Sequence, residues 1–290
     1  MPAQKPKILF IFEHEDEANW KDGLWAALEL LKQDFDIYKH NLKTSKGELP
    51  LPPDQVDFIL GWGAFGSPAD KEIQSRAAVQ RDHYKKPYKT GLCIAGNAMH
   101  PDGINNYDVL FYETEWYKPQ IEVHPRAIHA FGINSDIFHY VGEIVNEHSR
   151  LTQSEDGYLW DYLTVGAFAN WKRQDKICFK QGTKMAVGQI QKGNMRESIE
   201  IVGQLILGGC GVSDMVPPER LANFYRSARN VYIPADINGG GERSVLEARA
   251  CGINVEIEPD NAKLAELITS PVWDHYYYAE QIKKGILLCL

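Results

Sequence analysis

The residues with the clearest capacity for chemistry lie between Pro234 and Glu256. There, three consecutive glycines, Gly239, Gly240 and Gly241, follow the apolar run Asn230-Val231-Tyr232-Ile233. Glycine lets a backbone come close to a ligand because no Cβ intervenes. A helix opening at Gly240, Gly241 and Glu242 would aim unpaired amides and the positive end of its dipole at an anion such as a diphosphate. Arg243, Glu247 and Cys251 are four apart and share one face of that helix. A carboxylate at 247 can accept hydrogen bonds from two vicinal hydroxyls, which is what a ribose presents. The same features also fit an ordinary strand, turn and helix of an α/β protein, with Glu247 solvated or paired along its own helix.

These groups can act together only if regular elements hold them. Apolar runs at Lys7–Phe12, 35–38, 56–60, 91–95 and 108–112 read as buried parallel strands, with helical spacing between them, as in Leu24, Ala27, Leu28 and Leu31. The second half repeats the alternation at 159–165, 185–190, 211–216, 230–233 and from Ile253 onward. Alternating strands and helices imply parallel sheets wrapped by helices. Several strands end in glycine loops: Gly61 to Gly66, Gly96 and Gly166. Ligands in open α/β sheets bind at that carboxyl edge.

A chain of 290 residues supports two domains of roughly 130 to 150 residues each. The balance of 31 basic and 39 acidic residues gives a net charge of −8, which argues against general nucleic-acid binding. The five cysteines, at 93, 178, 210, 251 and 289, have no CxxC spacing and an odd count, so neither a zinc site nor a disulfide framework is expected. The N-terminal apolar run, Ile8 to Phe12, is too short for a secretory signal. No run approaches the roughly 20 apolar residues needed to span a bilayer. A cytoplasmic protein is expected.

The segment Val245-Leu246-Glu247-Ala248-Arg249-Ala250-Cys251-Gly252 resembles the donor-site segment of the retaining nucleotide-sugar glycosyltransferases of family 4, which read hydrophobic-Glu-Ala-x-Ala-x-Gly there. The resemblance implies an α/β fold of two Rossmann-like domains (GT-B) facing each other across a cleft. It places an acceptor-side domain at residues 1–135, a nucleotide-sugar domain at 136–275 and a terminal helix at 276–290 that packs back on the first domain. The interdomain connection is expected at Gly132-Ile133-Asn134, with Phe138 following. The family's lysine, six residues after a glycine, falls at Gly166 and Lys172, and Ser213 to Val216 takes the place of the nucleotide-base segment. The departures are specific. The family's first glutamate, eight residues before the second, is Gly239 here, with Glu242 the nearest substitute. Its arginine directly after the glycine is Ala167, for which Arg173 or Arg243 would compensate by gripping two phosphate oxygens. The donor set implied is Gly166, Lys172, Arg173, Val216, Gly239, Gly240, Gly241, Arg243, Ser244 and Glu247.

On the acceptor side, His14, Trp20, Lys21 and Gly23 lie in the polar loop after the first strand. Trp62, in the glycine loop after the third, could stack on a sugar ring or cover its own core. His100 stands where the family commonly has a histidine near the reacting sugar, and it joins Glu242 as an expected catalytic residue. Glu113 is a further carboxylate on that side. The expected reaction is transfer of a sugar from a nucleotide-diphosphate sugar to an acceptor hydroxyl, with retention and without a metal or other cofactor. The acceptor is a glycan, a lipid-linked or a small molecule; the acidic charge disfavours a nucleic-acid acceptor. Two alternatives stay open: a catalytically silent nucleotide-sugar-binding or regulatory protein, and an epimerase or phosphorylase on the same fold.

Overall fold

A computed structural model describes residues 4–14, 17, 21–45, 49–84, 88–96, 101–142 and 157–290. The chain divides into two units, one formed by residues 1–132 and 273–290, the other by residues 133–272.

In the first unit, six parallel strands lie in the order β2-β1-β3-β4-β5-β6. They are β1 (Lys7–Phe12), β2 (Asp36–Asn41), β3 (Phe58–Gly63), β4 (Lys89–Ile94), β5 (Val109–Tyr112) and β6 (Ala127–His129). Strand β1 shows why its sequence is apolar without a break. Ile8, Phe10 and Phe12 face a core with Leu24, Ala27, Leu28, Ile282 and Ile286. Leu9 and Ile11 face the opposite core with Ile59, Ala69 and Ile73. A strand buried on both faces has no polar side to alternate with. Helices α1 (Gly23–Leu31) and α9 (His275–Leu287) cover the first face, and α2 (Pro68–Val79) lies on the second, to whose core the short turns α3 (Pro101–Ile104) and α4 (Lys118–Ile121) add Ile104 and Ile121. Each long helix opens on a capping side chain. Asp22 accepts from the Trp25 amide at 2.9 Å, Ser67 from that of Asp70 at 3.2 Å, and Asp274 from that of Tyr277 at 2.8 Å.

The second unit holds a five-stranded parallel sheet in the order β11-β10-β7-β8-β9. Its strands are β7 (Trp160–Val165), β8 (Lys184–Gly188), β9 (Cys210–Asp214), β10 (Ala228–Ile233) and β11 (Asn254–Ile257). Helix α5 (Met195–Leu207) packs Ile201 and Leu205 against Phe168, Ile177, Ala186 and Tyr232. Helices α6 (Pro218–Arg226), α7 (Glu242–Ala250) and α8 (Ala262–Thr269) pack in sequence, with α7 against β10 and β11. Between β7 and β8 the chain forms two 3-10 turns, Asn170–Lys172 and Gln174–Phe179, separated by Arg173 in a left-handed conformation. All five cysteines are free thiols, and four of them are buried. Among the described residues, no helix is long and apolar enough to cross a membrane.

Candidate functional site

Numbered within its own unit, the second sheet runs 3-2-1-4-5, so its strand order reverses between β7 and β10. Side chains in the two loops leaving those strands are the ones a ligand at a topological switch point would meet. Gly166 follows β7 at a φ of 139°, a region that favours glycine. Its carbonyl accepts from Gln174 Nε2 at 3.2 Å, and Gln174 is itself buried. After β10, Gly240 and Gly241 have φ of 62° and 113°, and α7 is N-capped by Gly241, which has no side chain to offer the helix's first amides.

Lys172 joins the two loops. A Cβ placed on Gly166 would lie 3.7 Å from its Nζ, and one placed on Gly240 would lie 3.4 Å from the same atom. One ammonium therefore stands over both glycine turns. Desolvation pulls its pKa below that of an ordinary lysine, an effect opposed by the Glu242 charge and reinforced by Arg243 and Lys263. Glu242, the first residue of α7, is buried, and its Oε1 is 2.6 Å from Lys263 Nζ. The Lys263 side chain is only 1% exposed. Lys263 thus supplies Glu242 with a counter-ion, while Glu242 Oε2 lies 3.2 Å from where a Gly240 Cβ would be.

Glu247 lies on the same helix and is 8% exposed, contrary to the solvated reading of it. Its Oε2 accepts from the hydroxyl of Tyr225 on α6 at 3.0 Å. Of the three residues read as one helix face, Arg243 is exposed whereas Glu247 and Cys251 are buried, so the face turns from solvent into the core along α7. Ser244 hydrogen-bonds to Tyr225 as well. The glycine loop is held by Asn261, fully buried, whose Nδ2 donates to the carbonyls of Ala235 at 3.0 Å and Asp236 at 2.7 Å.

Position 239 has no room for a side chain. A Cβ there would overlap the Trp171 carbonyl, which accepts the Asp236 amide at 3.0 Å. Arg173 is committed elsewhere: its guanidinium makes paired bonds to Asp260 at 2.6 and 2.7 Å and a third to the Pro234 carbonyl at 2.7 Å. It fastens the β7 loop to the β10 loop rather than presenting a free cation. Val216 follows the edge strand β9, from which β8 separates the β7/β10 switch. The structure thus brings Gly166, Lys172, Gly240, Gly241 and Glu242 together, with Arg243, Ser244 and Glu247 following on α7.

In the first unit, the order 2-1-3-4-5-6 reverses between β1 and β3. His14 leaves β1 with its backbone held by Asn41, whose Oδ1 accepts the His14 amide at 3.1 Å and whose Nδ2 donates to the His14 carbonyl at 2.8 Å. Lys21 is exposed, Gly23 is buried as the first residue of α1, and Trp62 is half-buried against the core under α1. Glu113 follows β5, and its carbonyl is 3.1 Å from His129 Nε2. A carbonyl can only accept, so Nε2 carries the proton and Nδ1 accepts from the Tyr277 hydroxyl at 3.1 Å. Trp20 and His100 lie outside the described residues. Among the described residues, no cluster of three or more His, Cys, Asp or Glu side chains is placed to hold a metal ion.

Sequence reasoning missed Lys263, Tyr225 and Asn261. Tyr225 and Lys263 sit on other helices than the motif they support and Asn261 is the N-cap of α8, and none has a local pattern that marks it.

No protein-family model matches the sequence, and no curated protein matches it. Solved structures do. HepE from Anabaena, in complex with UDP and glucose, is 11% identical and superposes with a TM-score of 0.61 over 98% of this chain and 89% of its own. Sucrose-phosphate synthase from Thermosynechococcus elongatus is 12% identical, with a TM-score of 0.63 over 98% and 90%. A putative UDP-N-acetylglucosamine 2-epimerase from Listeria monocytogenes is 12% identical, with a TM-score of 0.55 over 98% and 88%. The likeness establishes the fold, the two parallel α/β sheets of the GT-B glycosyltransferases.

Proposed function

We propose that this GT-B chain is a glycosyltransferase that moves a sugar from a nucleotide-diphosphate sugar to an acceptor hydroxyl, with retention and without a metal or other cofactor. The observation that carries the reading is the single ammonium of Lys172 standing over Gly166 and Gly240, at the β7/β10 switch point. A diphosphate seated there would meet the Lys172 charge, the first amides of α7 and the exposed Arg243. In the transfer, the bond from the sugar's anomeric carbon to the diphosphate oxygen breaks. A bond from that carbon to the acceptor oxygen forms, and the hydroxyl proton leaves with the nucleoside diphosphate or solvent. Charge develops on the diphosphate as it departs. Preorganised cations and amides stabilise it most effectively where water is excluded. HepE, crystallised with UDP and glucose, is a fold neighbour whose ligand is of the class this site would take.

The retaining course and the family 4 assignment rest on the Val245-to-Gly252 motif. The roles proposed on the acceptor side for His14, Trp20, Lys21, His100 and Glu113 rest on their positions after strands β1, β4 and β5, and that of Trp62 on its place near the end of strand β3 rather than in the loop beyond it. The test is a thermal-shift screen against UDP-, GDP-, ADP-, CDP- and dTDP-sugars, followed by calorimetry on the ligand that stabilises most. Binding by the parent, lost in Lys172→Ala, is expected. Binding equally tight in that variant overturns the site.

Gly239 favours a second reading, a nucleotide-sugar binder without turnover, because no carboxylate can occupy that position. Such a protein would bind the donor and release no nucleoside diphosphate with any acceptor.

A further inference from the structure

We propose that Tyr225 is a positioning residue that fixes the Glu247 carboxylate for recognition of a ribose, making the site selective for ribonucleotides over deoxyribonucleotides. This rests on the nucleotide-sugar reading above and goes beyond it by naming what orients the sugar-binding carboxylate.

The geometry is specific. Tyr225 is fully buried on α6, and the ring of Phe138 packs edge-on against it with centroids 6.0 Å apart. Its hydroxyl donates to Glu247 Oε2 at 3.0 Å and receives a hydrogen bond from Ser244. Ser244 and Glu247 are three apart on α7, so a chain of hydroxyls runs from one to the other through a residue of a neighbouring helix. A carboxylate that is 8% exposed has little water to hold it, and its last torsion has broad wells, so a protein donor decides its orientation. The Tyr225 bond sets its plane. Each carboxylate oxygen has two lone pairs, so Oε2 can hold Tyr225 and still accept a ligand hydroxyl.

The phenol is suited to the task because it does not titrate in the working range. Burial and the Glu247 charge raise its pKa well above the ordinary value, so it remains a donor wherever Glu247 is ionised. The position is also consistent. Glu247 follows, on one helix, the Gly240-Gly241 turn where the diphosphate is placed, and a ribose is the next group along a nucleoside diphosphate.

The experiment compares the full chain with Tyr225→Phe by calorimetry, using whichever of UDP, GDP, ADP and CDP the parent binds most tightly and the 2′,3′-dideoxy form of the same nucleotide. The parent should prefer the ribo form, and Tyr225→Phe should shrink that preference about fivefold to tenfold while leaving the dideoxy affinity unchanged. Added to Glu247→Ala, Tyr225→Phe should then change neither affinity further, because the residue acts through the carboxylate. An undiminished preference in a folded Tyr225→Phe variant overturns the proposal. So does equal weakening of both ligands, which is what a merely structural hydroxyl would produce. Binding of no nucleotide by the parent overturns the donor reading itself, a different outcome from either.

Discussion

Replacing Lys172 by methionine separates a binding residue from a structural one. The side chain keeps its length and apolar stem but loses its charge. Lys172 Nζ lies 3.4 Å from the space beside Gly240, so a diphosphate oxygen seated there would be within charge-assisted hydrogen-bonding range. Two unit charges at about 3.5 Å attract by about 5 kcal/mol at an effective dielectric of about 20, and desolvation offsets much of that. The net contribution of a hydrogen bond to a charged group is about 1.5 to 3 kcal/mol, so donor affinity should fall about tenfold to 150-fold. Stability should move the other way or not at all. Desolvation is the largest influence on the Lys172 pKa, Arg243 and Lys263 repel its charge, and Glu242 keeps Lys263 as a partner when Lys172 is gone.

The pH dependence follows in sign. The folded pKa lies below the 10.5 of a free lysine. Between the two values the unfolded chain binds more protons, so ligand-free stability should rise with pH across that window and the rise should flatten in Lys172→Met. Donor affinity should fall as pH rises through the lowered pKa, because the deprotonated amine no longer attracts a diphosphate. Calorimetry with the tightest nucleotide sugar, and urea unfolding at stepped pH without ligand, measure the two effects. A Lys172→Met variant that unfolds more easily while binding donor as well as the parent would refute the reasoning.

Lys263→Met should destabilise the ligand-free chain by about 3 kcal/mol, since it takes the bonded counter-ion from a buried Glu242 and leaves it only the Lys172 charge nearby. Adding Glu242→Leu should recover most of that, and a single variant within 1 kcal/mol of the parent in urea unfolding would contradict a buried pair. Placing a glutamate at 239 should cost about 2 kcal/mol or more and lower donor affinity, because the Trp171 carbonyl occupies the space its Cβ needs. A stable Gly239→Glu variant with raised transfer activity would show the loop to be more accommodating than its geometry states.

Much of the fold was legible because parallel strands buried on both faces are continuous apolar runs. The expected Lys7–Phe12 strand is β1 itself, and the run at 230–233 lies within β10. Boundaries shifted where polar residues take part in a ladder, as at Lys39 and His40 at the end of β2. Less legible were the contacts that join distant segments: Arg173 has a left-handed backbone, and its guanidinium bonds Pro234 and Asp260, 61 and 87 residues further along the chain. The solvated reading of Glu247 failed because its partner Tyr225 is 22 residues away on another helix.

The glycine spacing and the strand alternation were properties of the sequence alone, since both express backbone freedom and burial that neighbouring residues impose on one another. Which charges are spent and which stay available was decided only by tertiary packing. Arg173 and Lys172 are adjacent in the chain and alike in charge, yet one is locked to Asp260 while the other stands over two glycine turns. Electrostatic partners are chosen by distance in space, and distance in space is what the sheet order β11-β10-β7-β8-β9 supplies by setting β7 beside β10.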